Sequence, residues 1–312
     1  MSRLSIPVLL LSLVLSLPTM AELSYNLQPR EITDGVWLVE GSTENFSRVN
    51  GGNIVNTAFV VTGAGVVVID TGPSRRYGEQ LRAAIAAVTD QPVTHVLLTH
   101  HHPDHVFGNQ AFDPDTLHAL PGTAEKLSAD GEAFSDNMYR LVGDWMRGTE
   151  VRLPTKTLEP GVLRVGEHRF RLMAFSGHTG ADLVVLDETS GVLFASDMVF
   201  YNRALTTPQT PGLDIWAGEL AQLEKLEFDL LVPGHGPVVT DGRAFAQMRD
   251  YLGWLDEMMT HAAGRGLTMS EVINQPIPER FASVAERRYE LTRTVTHLYP
   301  RYEKLALGLL PQ

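Results

Sequence analysis

Short runs rich in Val and Ile alternate along the chain with segments of helical periodicity. Val36 to Glu40, Ile54 to Thr62 and Val66 to Ile69 are separated by Gly35, Gly51-Gly52 and Gly63-Ala64-Gly65, which predicts an N-terminal β-meander. Arg76 to Val88 carries Leu81, Ile85 and Val88 at helical spacing behind Pro73-Ser74, a helix start. Val93 to Leu98 reads as a buried strand running straight into Thr99-His100-His101-His102-Pro103-Asp104-His105. Pro103 ends regular pairing there, so this motif is expected on a strand-to-helix loop. Ala124 to Leu127 and Phe134 to Met146 read as helices, and Arg169 to Met173, Leu183 to Leu186 and Val192 to Phe194 as strands. Asp214 to Leu226 reads as a helix and Leu230 to Val232 as a strand that ends at Pro233-Gly234-His235-Gly236. Phe245 to Ala263 and Val284 to Leu307 are again helical. No repeat or low-complexity tract interrupts the pattern. Two β-rich halves with helices outside predict a mixed α/β (α+β) four-layer sandwich over residues 22–245, with residues 246–312 as a C-terminal helical extension packed on the same domain.

The first residues stand apart from this pattern. Arg3 precedes an apolar run from Leu4 to Leu17, and Thr19 and Ala21 are small residues at the minus-three and minus-one positions of a cleavage site before Glu22. Residues 1–21 therefore read as a secretory signal peptide, too short to span a bilayer unaided. A periplasmic or secreted chain with no membrane insertion after cleavage is expected.

The 312 residues include no cysteine, which excludes disulfides and thiolate ligands, so histidine and carboxylate must carry any metal chemistry. A formal charge of −12 without Lys/Arg clusters argues against nucleic acid as a partner. A small-molecule substrate is expected.

Metal ligands must converge from separate elements, and the candidates lie at the ends of β-like runs: His100, His102, Asp104, His105, His178, Asp197 and His235. The i, i+2 spacing of His100 and His102 lets two imidazoles point the same way, while Asp104 and His105 can turn toward a neighbouring ion. Isolated His95, His118, His168, His261 and His297 are given no role. His101 is expected to face solvent or a nearby carbonyl, and Trp145 to pack in the core. Among polar residues near the motifs, Asn53, Tyr201 and Arg203 are candidates for substrate contact, Arg203 toward an anionic group.

Thr-His-x-His-x-Asp-His resembles the signature of the metallo-β-lactamase superfamily, and Asp70 in Ile69-Asp70-Thr71-Gly72, His178 in Ser176-Gly177-His178-Thr179, Asp197 after Ala195-Ser196 and His235 in Pro233-Gly234-His235-Gly236 follow in its order. The resemblance implies an αββα sandwich with the site along one edge of the packed sheets. It implies that His100, His102 and His178 hold one metal, that Asp104, His105 and His235 hold a second, and that Asp197 bridges them. Asp70 would support the histidine loop without ligating. A donor set of nitrogen and oxygen suits two Zn2+, with iron or manganese as alternatives. Two such ions, about 3.5 to 4 Å apart, would share a water, lower its pKa toward 7 and present hydroxide to a carbonyl or phosphoryl centre, with Asp104 as the catalytic residue that orients it.

The common β-lactamase type has cysteine where this chain has Asp197 and lysine where it has Phe200, which disfavours antibiotic hydrolysis. Thr179-Gly180-Ala181-Asp182 also departs from glyoxalase II-like patterns. The segments Ser47 to Asn56 and Asp136 to Arg140 are similar to exported zinc hydrolases termed quinoprotein relay system metallohydrolases, relatives of sulfur-oxidation proteins. That similarity implies a periplasmic association with quinoprotein dehydrogenases. The expected activity is hydrolysis of an ester, thioester, lactone or amide. A β-lactamase, a mononuclear iron persulfide dioxygenase and a non-catalytic metal-binding accessory protein of a quinoprotein system are the alternatives.

Overall fold

The structure, a computed structural model, describes residues 23–310, so the signal-peptide assignment over residues 1–21 lies outside the described residues. Strands β1 (Arg30–Thr33), β2 (Val36–Val39), β3 (Thr57–Val61), β4 (Val66–Ile69), β5 (Val93–Leu98), β6 (Leu117–Ala119) and β7 (Lys156–Thr157) form one sheet in chain order. A second sheet has the order β12 (Leu230–His235), β11 (Val192–Phe200), β10 (Asp182–Asp187), β9 (His168–Phe175) and β8 (Gly161–Val165).

Period-two alternation explains how these sheets become two inner layers. On β4, Val66 and Val68 face the helices α1 (Arg75–Val88) and α3 (Pro121–Val142), packing with Tyr77, Leu81, Leu127 and Met138. Val67 and Ile69 point the other way, into an inter-sheet core with Phe170, Leu172, Leu183, Val185 and Phe194. The outer face of the second sheet, through Val184, Leu193 and Leu231, meets α4 (Leu213–Leu223), α5 (Arg243–Gly264) and α7 (Arg287–Ala306). The order is helices, sheet, sheet, helices, the four-layer sandwich expected from the sequence. Each fully buried aliphatic side chain contributes roughly 1.5–3 kcal/mol.

Local chemistry sets the element boundaries near the site. Ser74 caps α1 by accepting from the Tyr77 amide. Pro103 ends the extended segment after β5 and starts the short helix α2 (Pro103–Val106), where its missing amide proton costs nothing. The helix α3 is continuous where sequence periodicity gave two pieces, and Gly131 within it is a close-packing position: a Cβ there would stand 2.7 Å from Val151 Cγ1. A further short helix, α6 (Met269–Ile273), precedes α7 and carries a capping box from Thr268 and Glu271. The division drawn at residue 245 falls inside α5, whose Ala244, Phe245, Met248 and Leu252 join the same core as β10 and β11. Among the described residues, no helix is long and apolar enough to cross a membrane.

Candidate metal centre

β5 delivers Thr99 and the histidine loop to the edge where the two sheets meet, and α2 turns Asp104 and His105 back toward the strand ends. The loop is held by its backbone: His105 N donates to His102 O at 3.1 Å, and Thr71 N donates to His105 O at 2.7 Å. From the second sheet, the 176–182 turn presents His178, pinned by two carboxylates. Asp182 accepts from the amides of His178 and Thr179 at 3.1 and 2.9 Å, and Glu219 on α4 accepts from the amides of Ser176 and Gly177 at 2.8 and 2.7 Å. Glu219 carries no sequence signal, being one of two acidic residues on α4. Asp197 does not end its strand, as the sequence suggested; β11 continues to Phe200. A left-handed Ser196 (φ 46°) and register shifts around it aim Asp197 at the site. His235 closes β12, and Asn56 of the first sheet clasps that turn by donating to Pro233 O at 2.9 Å and Gly236 O at 2.7 Å.

These elements bring all seven proposed ligands together. His100, His102, His178 and Asp197 form one group and Asp104, His105 and His235 another, each with its donor atoms within 4.8 Å of one another and every residue except half-buried His102 almost fully covered in side-chain terms. His178 Nε2 lies 3.0 Å from His102 Nδ1 and 3.3 Å from Asp197 Oδ2, and His100 Nε2 lies 3.9 Å from the same oxygen. In the second group, Asp104 Oδ2 lies 3.4 Å from His235 Nε2 and 3.7 Å from His105 Nε2. Asp197 reaches this group as well, with Oδ1 3.2 Å from His105 Nε2 and Oδ2 3.4 Å from His235 Nε2. Four ligands placed tetrahedrally about 2.0–2.1 Å from an ion stand about 3.3–3.4 Å apart, so these separations suit a cation of zinc size.

Hydrogen bonding agrees. His100 Nε2, His105 Nε2 and Asp197 Oδ1 are buried without a hydrogen-bond partner, a costly state for polar atoms unless a cation completes them. Two of the far ring nitrogens are occupied instead, His105 Nδ1 by Asp70 Oδ2 at 2.7 Å and His235 Nδ1 by Ile54 O at 2.8 Å, while His178 Nδ1 is buried without a partner. Burial, reinforced by neighbouring imidazoles, holds His100 and His102 well below the usual histidine range, in the neutral form that ligates. Burial acts on His105 in the same direction but is overcome by Asp197, Asp70 and Asp104, which raise it well above that range. Asp197 is likewise held well below the carboxylate range: burial pushes it up, and His235 and His105 more than offset that. The carboxylates thus call for positive charge at this spot.

Asp70 belongs to neither ligand group and meets the second one only through the far nitrogen of His105. It accepts from Thr99 N at 2.8 Å and Thr99 Oγ1 at 2.7 Å besides meeting His105, and holds a left-handed backbone (φ 60°) to do so. Asp70→Asn is expected to turn an NH2 donor toward either Thr99 or His105. Affinity for the ion bound by His105 should fall about 10- to 100-fold. Chelator competition on the purified protein measures it, and unchanged affinity would remove Asp70 from the metal support.

A cavity of about 350 Å³ opens onto both groups, lined by His102, Asp104, Asp197 and His235 together with Phe46, Ile54, Phe134, Arg203, Gln209, Arg293 and His297 among others. Of the three side chains expected to contact substrate, only Arg203 reaches this lining. Asn53 and Tyr201 are not part of it: their neighbours Ile54 and Arg203 take those places, and Tyr201 packs against the α4–α5–α7 core. Arg203 is buried, not a surface residue. Its guanidinium donates to Ala204 O at 2.9 Å and pairs with Glu290 at 3.4 Å, and Glu290 also pairs with Arg293 at 3.0 Å. His297 was assigned no role from sequence yet lines the cavity, because α7 folds back over it. His101 is fully buried near Asp130 and Phe134 rather than facing solvent. Trp145 packs in the core as expected.

Comparison with known proteins agrees with this geometry. The chain is 25% identical over 227 residues to the probable metallo-hydrolase YqjP of Bacillus subtilis (strain 168), covering 61% of this chain and 70% of that protein. It is 27% identical over 257 residues to the lactamase-like protein aptB of Emericella nidulans, covering 76% and 74%. Among solved structures, the inverting sec-alkylsulfatase Pisa1 from Pseudomonas sp. superposes with a TM-score of 0.68 at 18% identity, over 92% of this chain and 52% of that one, so this chain spans about half of the larger enzyme. The sequence model of the metallo-beta-lactamase superfamily matches residues 50–235, a stretch that runs from just before the histidine loop's supporting strands to the last ligand. Since that match takes in well over half of the chain, and the four layers carry its ligand loops on one edge, this chain belongs to the metallo-beta-lactamase superfamily.

Proposed function

We propose that the chain is a dinuclear zinc hydrolase acting on an ester, thioester, lactone or amide. The observation that carries this reading is the shared carboxylate: Asp197 lies within 3.2–3.4 Å of imidazole nitrogens in both ligand groups, so one residue completes two sites. A complete second set of ligands also favours hydrolysis over the mononuclear oxygenase alternative. His100, His102 and His178 would hold one ion, Asp104, His105 and His235 the other, with Asp197 between. Such ions, when bound, supply Lewis acidity and lower the pKa of a water toward neutrality. The protein's own part is orientation. Asp104 faces the cavity and accepts a hydrogen bond from the attacking water, fixing its direction. Phe46, Ile54, Phe134 and Pro208 exclude solvent and hold the carbon skeleton of the substrate.

A second reading, cleavage of an anionic sulfate ester, is favoured by one specific feature. Arg203 and Arg293 share a single counter-charge, Glu290, on the wall of the cavity, leaving net positive charge there. The leader pattern supports export to the periplasm, and the relay-system resemblance supports work beside quinoprotein dehydrogenases.

Metal analysis of the purified chain, followed by assays on ester, thioester, lactone, β-lactam, phosphodiester and alkyl sulfate substrates, tests the proposal. Two zinc ions per chain and turnover of a carbonyl substrate are expected. A single iron with oxygen consumption would replace this reading with the oxygenase, and a fully loaded chain inert on every substrate would replace it with the accessory-protein reading. Asp104→Ala should lower turnover by more than about 100-fold while the far-UV spectrum and melting temperature of the ion-free protein stay close to wild type. Retained activity in that variant would contradict the assignment.

A further inference from the structure

Each ligand histidine has two ring nitrogens, and what binds the far one fixes which nitrogen is free to meet a cation. In His100 the far atom, Nδ1, lies 3.1 Å from Thr99 Oγ1; in His105 it meets Asp70, and in His235 the carbonyl of Ile54. These partners lie at or near the strand ends that carry the site, and the far nitrogen of His178, Nδ1, is buried without a partner. His102 differs. Its inward atom is Nδ1, 3.0 Å from His178 Nε2, and its far atom, Nε2, is hydrogen-bonded to Gln209 Oε1.

Gln209 lies on the strap of residues 203–212 between β11 and α4, and that strap is tied down along its length. Ala204 N donates to Ala285 O at 2.9 Å, Thr206 Oγ1 to Glu290 Oε1 at 3.2 Å, and Thr207 Oγ1 meets Thr294 Oγ1 at 2.7 Å. Thr210 Oγ1 donates to Gly177 O at 2.5 Å, next to ligand His178, and Arg301 donates to Pro211 O at 2.9 Å. Three of the anchors, Glu290, Thr294 and Arg301, belong to α7. The amide of Gln209 is therefore delivered by a fixed backbone rather than by a free surface loop.

We propose that Gln209 is a positioning residue for His102: its carbonyl oxygen accepts the Nε2 proton and leaves Nδ1 bare and aimed at the first ion. Through the strap, α7 becomes part of the support of that ion although it lies outside the stretch shared with the family model. The proposal rests on the two-ion reading above. It carries an internal asymmetry: His105 leans on a carboxylate, His102 on a neutral amide, so the ion held by His102 has the less basic imidazole behind it.

The test uses the full mature chain stripped of metal and titrated with cobalt(II) against a competing chelator, with the visible absorption of the bound ions as readout. Gln209→Ala is expected to weaken one of the two ions about 10- to 100-fold and leave the other within about threefold of wild type. Gln209→Glu, which keeps the acceptor, should hold that ion at least as tightly as wild type, and ion-free melting temperatures should match across the three proteins. Unchanged affinities in Gln209→Ala, or equal weakening of both ions, would overturn the proposal. So would a Gln209→Ala protein altered only in KM, which would make Gln209 a substrate contact instead. A wild-type chain that takes up one ion sinks the two-ion reading, while the comparison between variants still decides the role of Gln209 at that ion.

Discussion

Asp197→Asn is expected, on the proposed two-zinc reading, to lower bound metal from two ions per chain to one at most and to reduce turnover by more than about 100-fold, beyond the loss caused by removing an outer hydrogen-bond partner. The carboxylate places one oxygen 3.2 Å from His105 Nε2 and the other 3.3 and 3.4 Å from His178 and His235 Nε2. An amide offers one oxygen and one NH2 group, and the NH2 cannot ligate, so whichever way the side chain turns one group loses a donor. The substitution changes shape little, so the effect is chemical. Metal analysis after dialysis, together with initial rates on whichever substrate the wild type turns over, gives the answer. Two tightly held zinc ions and a wild-type rate in this variant would remove the shared carboxylate from the mechanism.

Gly234→Ala should do comparable damage by a different route. A Cβ at this position would stand 2.0 Å from Asp197 Oδ1 and 2.7 Å from both Asp197 N and Ser196 C, and the last two are backbone atoms with little freedom to retreat. Relief requires β11 and β12 to separate where Ser196 already holds a left-handed conformation. A cost near the upper end of the usual overpacking range, about 3 kcal/mol, is expected, with a fall of roughly 6–12 °C in melting temperature. Metal uptake should fail along with it, because the clash displaces the Asp197 side chain. Thermal melts of the ion-free variant check the first effect, and a melt within about 2 °C of wild type would show that the two strands part more easily than their register suggests.

What could be read from the sequence followed the kind of signal available. Valine- and isoleucine-rich runs bounded by glycine located β2, β3 and β4, and the closely spaced histidines located the ligand loop, because both signals are local. The short strands β1, β6 and β7 at the two margins of the first sheet have too few residues to set a period, and they owe their existence to the neighbours they pair with. The residues between Leu127 and Phe134 carried no helical signal, yet they continue α3, and Gly131 among them is where that helix touches Val151. His101 sits among ligands on a polar loop, where solvent or a nearby carbonyl was the expected neighbour; the packing of α3 over the loop, through Phe134 and Asp130, buries it. His297 and Gln209 had no local signal at all. Each reaches the cavity because of where a distant helix folds back, and no spacing along the chain encodes that return.

The clasp between the sheets has one more implication. Asn56 joins the first sheet to the His235 turn, but each ligand group also straddles the divide: His100 and His102 face His178 and Asp197, and Asp104 and His105 face His235. A cation in either place acts as a rivet through both halves of the sandwich. The unfolded chain offers no such arrangement, so folding and metal supply become one equilibrium, worth about 2.7 kcal/mol when free ion exceeds its dissociation constant a hundredfold. On the proposed two-ion reading, a compartment starved of the ion would leave the molecule with a loosened seam as well as a silent site, and its lifetime there would follow the same scarcity that limits its chemistry.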